Sequence, residues 1–510
     1  MKSNAVSLDG CLSRIRMPMK EELAGFPVGK EHVRQSPIPV TAIAGDGIGP
    51  EVMTAVQLVL EAVGAPIQWE LGEAGEQVFA RGEPTGVSNE TIASILRTRV
   101  VLKGPLATPI GHGGKSANVT LRKLFETFGN IRPVRELPGV VTPFSGRNID
   151  LVVVRENVED LYAGIEHMQT PSVAQCLKLI SRKGSEKVIR LAFEIAVAEG
   201  RKRVTCVTKA NIMKETEGLF QRVFEEIARE YPSFTADHIL VDNAAHLLVR
   251  KPESFDVLVT TNLNGDILSD LTSGLVGGLG IAPSSNVGHH VQIFEAVHGS
   301  APDIAGKDLA NPTALLLSAV QMLRFLGLNE QAKVVKNALL RTLEDGVRTG
   351  DLGPNSIGTQ AFSKAVIARL GQVPTTVSVR DTNPPDLSRT HPTLPVPNPT
   401  RQLVGADIFV EWGAGPSPLG QALELAVLGT AWTLKIISNR GTVVYPAENL
   451  HTDCVDHYRC RFVARESMQL ADEDVRDLLS RVEAKHHWMH VEKLHTFDGK
   501  RGYSLAQGER

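Results

Sequence analysis

The chain has 510 residues, of which 42% are hydrophobic, 22% are charged and 5% are aromatic, and its formal net charge is -3. This length predicts two or three packed units, and the composition is typical of a soluble globular protein rather than a fibre or a disordered chain. The slightly acidic balance and the few aromatic residues argue against a nucleic-acid partner, and no apolar run is long enough to predict a membrane span.

The cysteines and the N-terminus indicate the compartment. The five cysteines are scattered and form no Cys-x-x-Cys pair, which predicts neither a disulfide framework nor a zinc site and favours a reducing compartment. They are Cys11, Cys176, Cys206, Cys454 and Cys460. Residues 1–37 hold three glutamates and lack the apolar core of a secretory signal, so we expect an N-terminal arm and a cytoplasmic location. A transit peptide and the mitochondrial matrix are the alternative.

The first predicted unit is a strand, a tight turn and a helix. An apolar run at 40–44 ends in the glycine-rich turn 45–49, and a helical pattern covers 51–63. The turn lacks the spacing G-x-G-x-x-G and is weak evidence for a dinucleotide site. Further strand and helix patterns alternate along the chain and predict an α/β architecture. The predicted strands are 100–103, 150–155, 203–208, 238–242 and 257–261, and the predicted helices are 185–199, 215–230, 312–326 and 331–349.

Prolines then concentrate in residues 373–402, which predicts a polyproline-like linker. Beyond it, residues 403–510 alternate strand and helix patterns in an order that predicts a small α+β domain, ferredoxin-like in one interpretation. The predicted elements are strand 406–412, helix 418–428, hairpin 434–445, strand 457–463, helix 473–484 and strand 489–494. His486, His487 and His490 suggest either a metal site or ordinary exposed histidines at a strand end, and the second interpretation is favoured.

Asp266 and Asp270 form the sharpest local signal for chemistry. They stand four residues apart just after a predicted strand, so a helix would place both on one face, where a divalent cation would offset their repulsion. The alternative is a solvated helix start, at which aspartate favours the helix dipole. Asp242, at a predicted strand end, is a third candidate oxygen ligand or a helix cap.

The other candidate site residues are three arginines, a tyrosine and a lysine. Arg122, Arg132 and Arg155 could form a cage for several carboxylates, although each alone could be a surface arginine. Tyr162 and Lys209 are candidate proton carriers, because a lysine beside a bound cation loses its proton more readily. Taken singly, either could be structural.

A segment rich in small residues lies at 295–306 and reads EAVHGSAPDIAG. Small side chains there would let the backbone approach a phosphate or a ribose closely.

These motifs, in this order, resemble the β-decarboxylating dehydrogenase family, which includes isocitrate, isopropylmalate, homoisocitrate and tartrate dehydrogenases. The resemblance covers residues 38–372. Its motifs are GDGIGPEV at 45–52, LKGPLATP at 102–109, SANVTLRKLFETFGNIRP at 116–133, VVRENVEDLYAGIE at 153–166, VTKANIMK at 207–214, NLNGDILSDL at 262–271 and FEAVHGSAPDIAGKDLANPTA at 294–314.

The resemblance implies an α/β fold that is not a Rossmann fold. A large domain would comprise residues 38–138 and 287–372, a small domain would comprise 139–286, and two subunits of a homodimer or larger homo-oligomer would share each cleft. The C-terminal α+β domain resembles that of longer bacterial isocitrate dehydrogenases and would serve oligomer contact or regulation. The implied reaction is the oxidative decarboxylation of isocitrate to 2-oxoglutarate in the tricarboxylic acid cycle.

The resemblance also implies the site residues. Asp266 and Asp270, with Asp242 of the partner subunit, would bind Mg²⁺ or Mn²⁺, while Tyr162 and the partner's Lys209 would act as the acid–base pair. The implied substrate contacts are Ser116, Asn118, Arg122, Arg132, Arg155 and Asn211. The implied cofactor contacts are Thr108, Glu295, His298, Gly299, Ser300, Ala301, Asp303, Ile304 and Asn311.

Two short segments bear on selectivity. Ser116 and Asn118 offer polar groups that suit the third carboxylate of isocitrate, whereas an isopropyl group would leave them unpaired. Asp303 and Ile304 stand where many NADP-linked relatives carry Lys-Tyr, and a carboxylate there would repel the 2′-phosphate, which predicts NAD. NADP as cofactor, homoisocitrate as substrate and a noncatalytic regulatory subunit are the alternatives. A phosphate on Ser116 would repel the substrate carboxylate.

Overall fold

The computed structural model describes residues 36–108, 116–377, 379, 382–446, 451–466 and 468–509. The predicted N-terminal arm lies almost entirely outside the described residues, as do Cys11 and Pro109. None of the helices in the described ranges combines the length and apolar character that a membrane crossing requires.

A ten-stranded sheet forms the centre of the described chain, with the strand order β2-β1-β3-β12-β11-β4-β5-β10-β8-β9. The strands of this sheet are β1 (Ile38–Ile43), β2 (Ile67–Gly72), β3 (Val100–Lys103), β4 (Gly129–Arg135), β5 (Asp150–Glu156), β8 (Arg203–Thr208), β9 (Thr235–Leu240), β10 (Val257–Thr260), β11 (Pro283–Val287) and β12 (Gln292–Ala296). Strands β6 (Glu166–Thr170) and β7 (Val173–Cys176) pair separately as an antiparallel hairpin.

The sheet contains two parallel blocks that meet in an antiparallel centre. Strands β2, β1, β3 and β12 run parallel, as do β5, β10, β8 and β9, while β11 is antiparallel to both its neighbours and β4 to both of its own. Strands in the blocks such as β3 and β10 are buried throughout, as expected for strands covered on both faces. Buried polar side chains concentrate where the blocks meet, and the candidate site lies there.

Helices pack on both faces of the sheet and bury an apolar core against it. They are α1 (Gly49–Ala62), α2 (Glu76–Ala80), α3 (Asn89–Thr98), α4 (Ala117–Leu124), α5 (Arg182–Ala198), α6 (Thr216–Ala228), α7 (Val241–Arg250), α8 (Asn262–Val276), α9 (Thr313–Phe325), α10 (Asn329–Glu344) and α11 (Thr359–Ile367). The α/β architecture is confirmed, and the predicted elements agree with the observed ones to within a few residues.

The sequence predicted Asp242 at the end of a strand, but the structure places it in a helix. Strand β9 ends at Leu240, and α7 begins at Val241 without an intervening loop, so Asp242 stands in the first turn of the helix. An acidic side chain is favourable there because it faces the positive end of the helix dipole.

The C-terminal domain is a six-stranded sheet with two helices on one face. Its elements are β13 (Arg401–Glu411), α12 (Pro416–Ala426), β14 (Trp432–Asn439), β15 (Thr442–Tyr445), β16 (His457–Ala464), α13 (Asp472–Glu483), β17 (Trp488–Phe497) and β18 (Lys500–Arg501). The order β15-β14-β16-β13-β17-β18 contains the β17-β13-β16-β14 arrangement of a ferredoxin-like fold. The α+β prediction is therefore confirmed.

The C-terminal histidines were predicted to be ordinary exposed residues, and this holds for only some of them. His487 is exposed, but His486 is 8% exposed and packs edge-on against Trp412, with ring centroids 5.2 Å apart. No group of three potential metal-binding side chains occurs anywhere in the described residues, including this segment.

The proline-rich segment is not a free spacer. Backbone amides of Thr393 and Leu394 donate to Glu186 of α5 at 2.7 and 2.9 Å, and His391 stacks on His289 with centroids 3.8 Å apart. Prolines lack the amide needed for sheet pairing, but the amides between them still require acceptors, and α5 supplies one. The segment therefore packs against α5 and His289.

The C-terminal domain also contacts the β6–β7 hairpin. The Asp456 carboxylate accepts hydrogen bonds from Thr170 at 3.0 Å and from Ser172 at 2.7 Å. These bonds hold the pKa of Asp456 below its ordinary value, although burial opposes the shift. The hairpin is thus tied to the domain that follows the linker.

Candidate active site

Two carboxylates and two arginines form the centre of the candidate site. Asp266 and Asp270 lie one turn apart on α8 and face Arg132 of β4, whose guanidinium is 3.7 Å from Asp266 and 3.2 Å from Asp270. Arg155 of β5 also pairs with Asp266. Gly265 permits this approach, because a Cβ there would lie 2.6 Å from Cγ of Arg155. The predicted shared helix face is confirmed.

Burial shapes the charges of this cluster. Burial and the neighbouring Arg155 lower the pKa of Arg132 to about 10. Burial opposes ionisation of Asp266, but Arg155, the Tyr162 hydroxyl and Arg132 outweigh it and hold the Asp266 pKa below its ordinary value. The pKa of Asp270 is raised, because burial outweighs the attraction of Arg132. Asp270 thus lacks full compensation of its charge, which a cation would supply.

Tyr162 lies beside the same carboxylates. Its hydroxyl donates to Asp266 at 2.6 Å, and the Arg155 guanidinium lies 5.0 Å from the centre of its ring. Burial and the bond to Asp266 raise the pKa of Tyr162, so the phenol keeps its proton at neutral pH. This is the state that a proton donor requires.

A buried polar network links Arg132 to Arg122. Arg132 donates to Asn130 at 2.7 Å, Asn130 donates to Asn286 at 2.8 Å, and Asn286 donates to Glu295 at 2.7 Å. Glu295 then pairs with Arg122 at 3.2 Å. The network crosses the antiparallel centre of the sheet and holds both arginines on one side of it.

Cationic side chains of the protein hold the Glu295 carboxylate. It is 5% exposed and also pairs with Lys103 at 2.7 Å. Burial opposes its ionisation, but Lys103 and Arg122 hold its pKa far below the ordinary value. Its carboxylate therefore supports Arg122 from inside the protein, and the cofactor contact that the resemblance implied stays a prediction.

Lys209 and Asp242 form a second pair. The Lys209 ammonium donates to Asp242 at 2.6 Å in an exposed setting, and the bond lowers the Asp242 pKa. Asn211 is exposed nearby in the chain. In the described ranges no third acidic, histidine or cysteine side chain joins Asp266 and Asp270 closely enough to complete a metal site. A metal ligand and a base supplied by a partner subunit therefore stay a prediction.

The predicted cofactor segment packs against the glycine-rich turn. Ile48 donates to the carbonyl of Ser300 at 2.8 Å, and a Cβ on Gly47, whose φ is +57°, would lie 1.9 Å from that oxygen. His298 bonds the carbonyl of Gly299, and Ala301 has a φ of +39°. The turn thus supports this segment rather than forming a separate nucleotide fingerprint.

The other predicted cofactor and substrate residues surround these segments. Asp303 is exposed, and Ile304 packs partly against the core. Asn311 donates to Asp351 at 3.0 Å. Thr108 and Ser116 share a hydrogen bond of 2.9 Å at the two ends of residues 109–115, and the Asn118 oxygen is buried without a partner in the described structure.

The sequence matches the models of two known protein families. The model for isocitrate/isopropylmalate dehydrogenase matches residues 39–366, and that for the C-terminal domain of bacterial isocitrate dehydrogenase matches residues 401–509. The chain belongs to the isocitrate/isopropylmalate dehydrogenase family. The resemblance seen in the motifs is confirmed.

Individual relatives agree with this family membership. An isocitrate dehydrogenase [NADP] of Thermus thermophilus is 59% identical over 474 residues, which cover 92% of this chain and 96% of the relative. The crystal structure of the TT0538 protein from Thermus thermophilus has a TM-score of 0.90 and 58% identity and covers 92% of this chain and 96% of that chain. The NAD catalytic subunit 5 of Arabidopsis thaliana mitochondrial isocitrate dehydrogenase is 48% identical over 337 residues, covering 66% and 89% respectively.

Several residues that position the site could not be identified from the sequence. Asp46 accepts from the amide of Ala107 at 2.7 Å and so fixes the start of the Thr108 segment. Glu217, fully buried, accepts from the amide of Lys209 at 2.9 Å and from Thr261 at 3.1 Å before α8. Most of these contacts join residues that are far apart in the sequence, although Asp46, Ala107 and Lys209 each lie in a quoted motif.

The buried carboxyl of Glu156, which follows Arg155 in the sequence, is expected to make the stability of the protein depend on pH. Burial raises its pKa from 4.5 to about 7, although the amides of Val158 and Glu159 favour the charged form. The native chain therefore binds more protons than the unfolded chain between these two values, and stability falls as pH rises through that window. We expect Glu156→Gln to stabilise the protein at pH 8 by up to about 3 kcal/mol and to have little effect at pH 4.5. Urea unfolding at both pH values checks this, and a variant less stable than wild type at pH 8 would contradict it.

Proposed function

We propose that the protein is a metal-dependent isocitrate dehydrogenase that converts isocitrate to 2-oxoglutarate and CO₂ with reduction of a nicotinamide cofactor. The observation that carries this proposal is the convergence of three arginines, two helix-borne carboxylates and a protonated tyrosine on one side of the sheet. Arg122, Arg132 and Arg155 provide three cations for a substrate that has three carboxylates.

In the proposed reaction each of these side chains has a separate role. The arginines bind and orient the substrate carboxylates, so that the C2 hydroxyl and its C–H bond have fixed positions. Lys209 of the partner subunit accepts the hydroxyl proton as the C–H hydride leaves. Loss of CO₂ from the resulting β-keto acid leaves an electron pair at C3, and the Tyr162 hydroxyl gives its proton to that carbon.

A divalent cation fits the carboxylates that are present. Asp266 and Asp270 offer hard oxygen ligands, and the raised pKa of Asp270 marks a charge that its neighbours do not fully offset. When bound, Mg²⁺ or Mn²⁺ would polarise the substrate oxygen at C2 and stabilise negative charge there. Asp242 of the partner subunit would complete the ligands in a homodimer with shared clefts.

We infer NAD as the cofactor. The support is the exposed Asp303 carboxylate, which would accept hydrogen bonds from free ribose hydroxyls and repel a 2′-phosphate. The names of the Thermus relative and of five Rickettsia relatives, each covering 92% of this chain, specify NADP, and the name of the Arabidopsis relative, which covers 66%, specifies NAD. The inference of NAD therefore depends on Asp303 and not on the names. Lys307, the cation that follows in the sequence, donates to the backbone carbonyl of Asp303 at 2.7 Å.

Exchanging this pair of residues tests the inference. In the double variant Asp303→Lys with Ile304→Tyr, we expect the ratio of kcat/KM for NADP to that for NAD to rise about 10- to 150-fold, because a hydrogen bond to a charged group contributes about 1.5–3 kcal/mol. The control is Glu61→Lys, which changes one exposed side chain at the end of α1 by the same charge as Asp303→Lys. An unchanged ratio in the double variant would show that cofactor choice lies elsewhere.

A substrate panel tests the proposed reaction against its alternatives. Initial rates with isocitrate, homoisocitrate and 3-isopropylmalate should favour isocitrate, because Ser116 and Asn118 suit a polar substituent. A preference for homoisocitrate would move the assignment within the family, while binding of isocitrate without turnover would favour a regulatory subunit.

A further inference from the structure

A largely buried lysine joins two carboxylates to which the proposed reaction assigns no role. Lys178, just after the β6–β7 hairpin, pairs with Asp160 and with Glu217, and its ammonium lies 2.9 Å from the Glu217 carboxylate. The side chains of Asp160 and Glu217 are fully buried, and that of Lys178 is 13% exposed. Without Lys178 both carboxylates would be buried without this counter-charge. These three residues are named the Lys178 cluster.

Asp160 fixes the turn that carries Tyr162. It directly precedes the short helical turn Leu161–Ala163, and its φ of +65° is unusual for a residue with a Cβ. A backbone of this kind persists only where its surroundings hold it. The Asp160 carboxylate also accepts from the amide of Leu263, in the first turn of α8, at 2.9 Å. It therefore ties the turn of Tyr162 to the helix that carries Asp266.

Glu217 fixes the segment that carries Lys209. Its carboxylate accepts from the Lys209 amide at 2.9 Å and from the Thr261 hydroxyl, just before α8, at 3.1 Å. Asn264 of α8 donates to the same carboxylate at 3.2 Å. The backbone from which the Lys209 side chain extends is therefore held at the start of the same helix.

The Lys178 cluster thus connects the two proton-transfer groups of one chain. In the proposed reaction Tyr162 gives a proton in the cleft of its own chain, whereas Lys209 accepts one in the cleft of the partner subunit. We propose that Lys178 is a positioning residue that holds both groups, and through them joins the two clefts of the dimer. This inference rests on the proposed function.

The substrate clamp has separate supports. Each of its arginines bonds a side chain outside the Lys178 cluster. The bonds are those of Arg132 to Ser269 at 2.6 Å, Arg155 to Asn262 at 2.7 Å and Arg122 to Glu295 at 3.2 Å. Loss of Lys178 should therefore disturb proton transfer more than substrate binding.

Lys178→Met keeps the length of the side chain and removes its charge. With isocitrate and saturating Mg²⁺ we expect kcat to fall about 10- to 100-fold, because misplacement by about 1 Å can cost about two orders of magnitude in rate. The KM for isocitrate should change less than kcat. Lys178→Arg, which retains a cation, should keep more activity. Lys187→Met is the matched control, since it removes another largely buried ammonium, paired with Glu126 at 2.8 Å, and it should keep the wild-type kcat.

The two carboxylates can be tested separately, which also covers the case that Lys178→Met does not fold. Glu217→Gln leaves one carboxylate for one ammonium, so it disturbs the charge balance less. It should slow the reduction of oxalosuccinate, which uses Lys209, more than solvent-proton exchange at C3 of 2-oxoglutarate, which uses Tyr162. Asp160→Asn should show the opposite order.

A wild-type kcat in Lys178→Met, or a KM that rises as much as kcat falls, would overturn the positioning role. Equal losses of the two partial reactions in both Glu217→Gln and Asp160→Asn would overturn it as well. A folded wild-type protein that performs neither partial reaction would instead overturn the proposed function.

Discussion

Tyr162→Phe is expected to lower kcat for isocitrate oxidation about 10²- to 10⁴-fold, the range in which a positioned general acid contributes. The hydroxyl lies 2.6 Å from Asp266, and its raised pKa keeps the proton available for C3. Phenylalanine retains the ring beneath Arg155 but has no proton to give. The overall rate is measured by the appearance of reduced cofactor.

A partial reaction separates the role of Tyr162 from general damage. Reduction of added oxalosuccinate to isocitrate requires hydride transfer and no proton at C3, so the variant should retain more of this activity than of solvent-proton exchange at C3 of 2-oxoglutarate. Equal losses in the two reactions would contradict the assignment. Tyr503→Phe in the C-terminal domain removes the same atom and serves as the control.

Glu295→Gln is expected to destabilise the fold by about 3–5 kcal/mol, because the change leaves the buried charges of Lys103 and Arg122 without their carboxylate. Glutamine keeps the shape and the acceptor oxygen, so the loss reports on charge. The midpoint of urea unfolding measures the effect. Glu61→Gln on the exposed face of α1 should shift it very little.

The same variant should also raise the KM for isocitrate more than it lowers kcat. Glu295 holds Arg122 and bonds Asn286, and through Asn130 it reaches Arg132, so the clamp loses its support while Tyr162 remains. A variant as stable as wild type, with an unchanged KM, would show that the network has neither role.

The fold was largely predictable because its signals are local. Apolar runs such as 257–261 and 203–208 gave the strands, and the spacing of Asp266 and Asp270 gave their common helix face. The side-chain roles came from the resemblance, since no property of Tyr162 or Lys209 in the sequence distinguishes a proton carrier from a structural residue. The structure does bring Tyr162 to Asp266 and Lys209 to Asp242.

What the sequence could not reveal depends on long-range contacts. Glu295 faces Lys103 only because β12 pairs with β3, and that pairing has no local signature. The proline-rich segment has the composition of a spacer, and only the surface of α5 explains why it docks. Asp242 was misplaced because an apolar strand pattern continues into the first turn of α7 without a break.

The most direct test of the central claim is the stoichiometry of the reaction with isocitrate, Mg²⁺ or Mn²⁺ and each cofactor, with EDTA as the control. The proposed function predicts equal amounts of reduced cofactor, CO₂ and 2-oxoglutarate, faster with NAD than with NADP and abolished by EDTA. Faster turnover with NADP would correct the cofactor alone. Absence of all three products with either cofactor, in a folded protein supplied with metal, would contradict the proposed function.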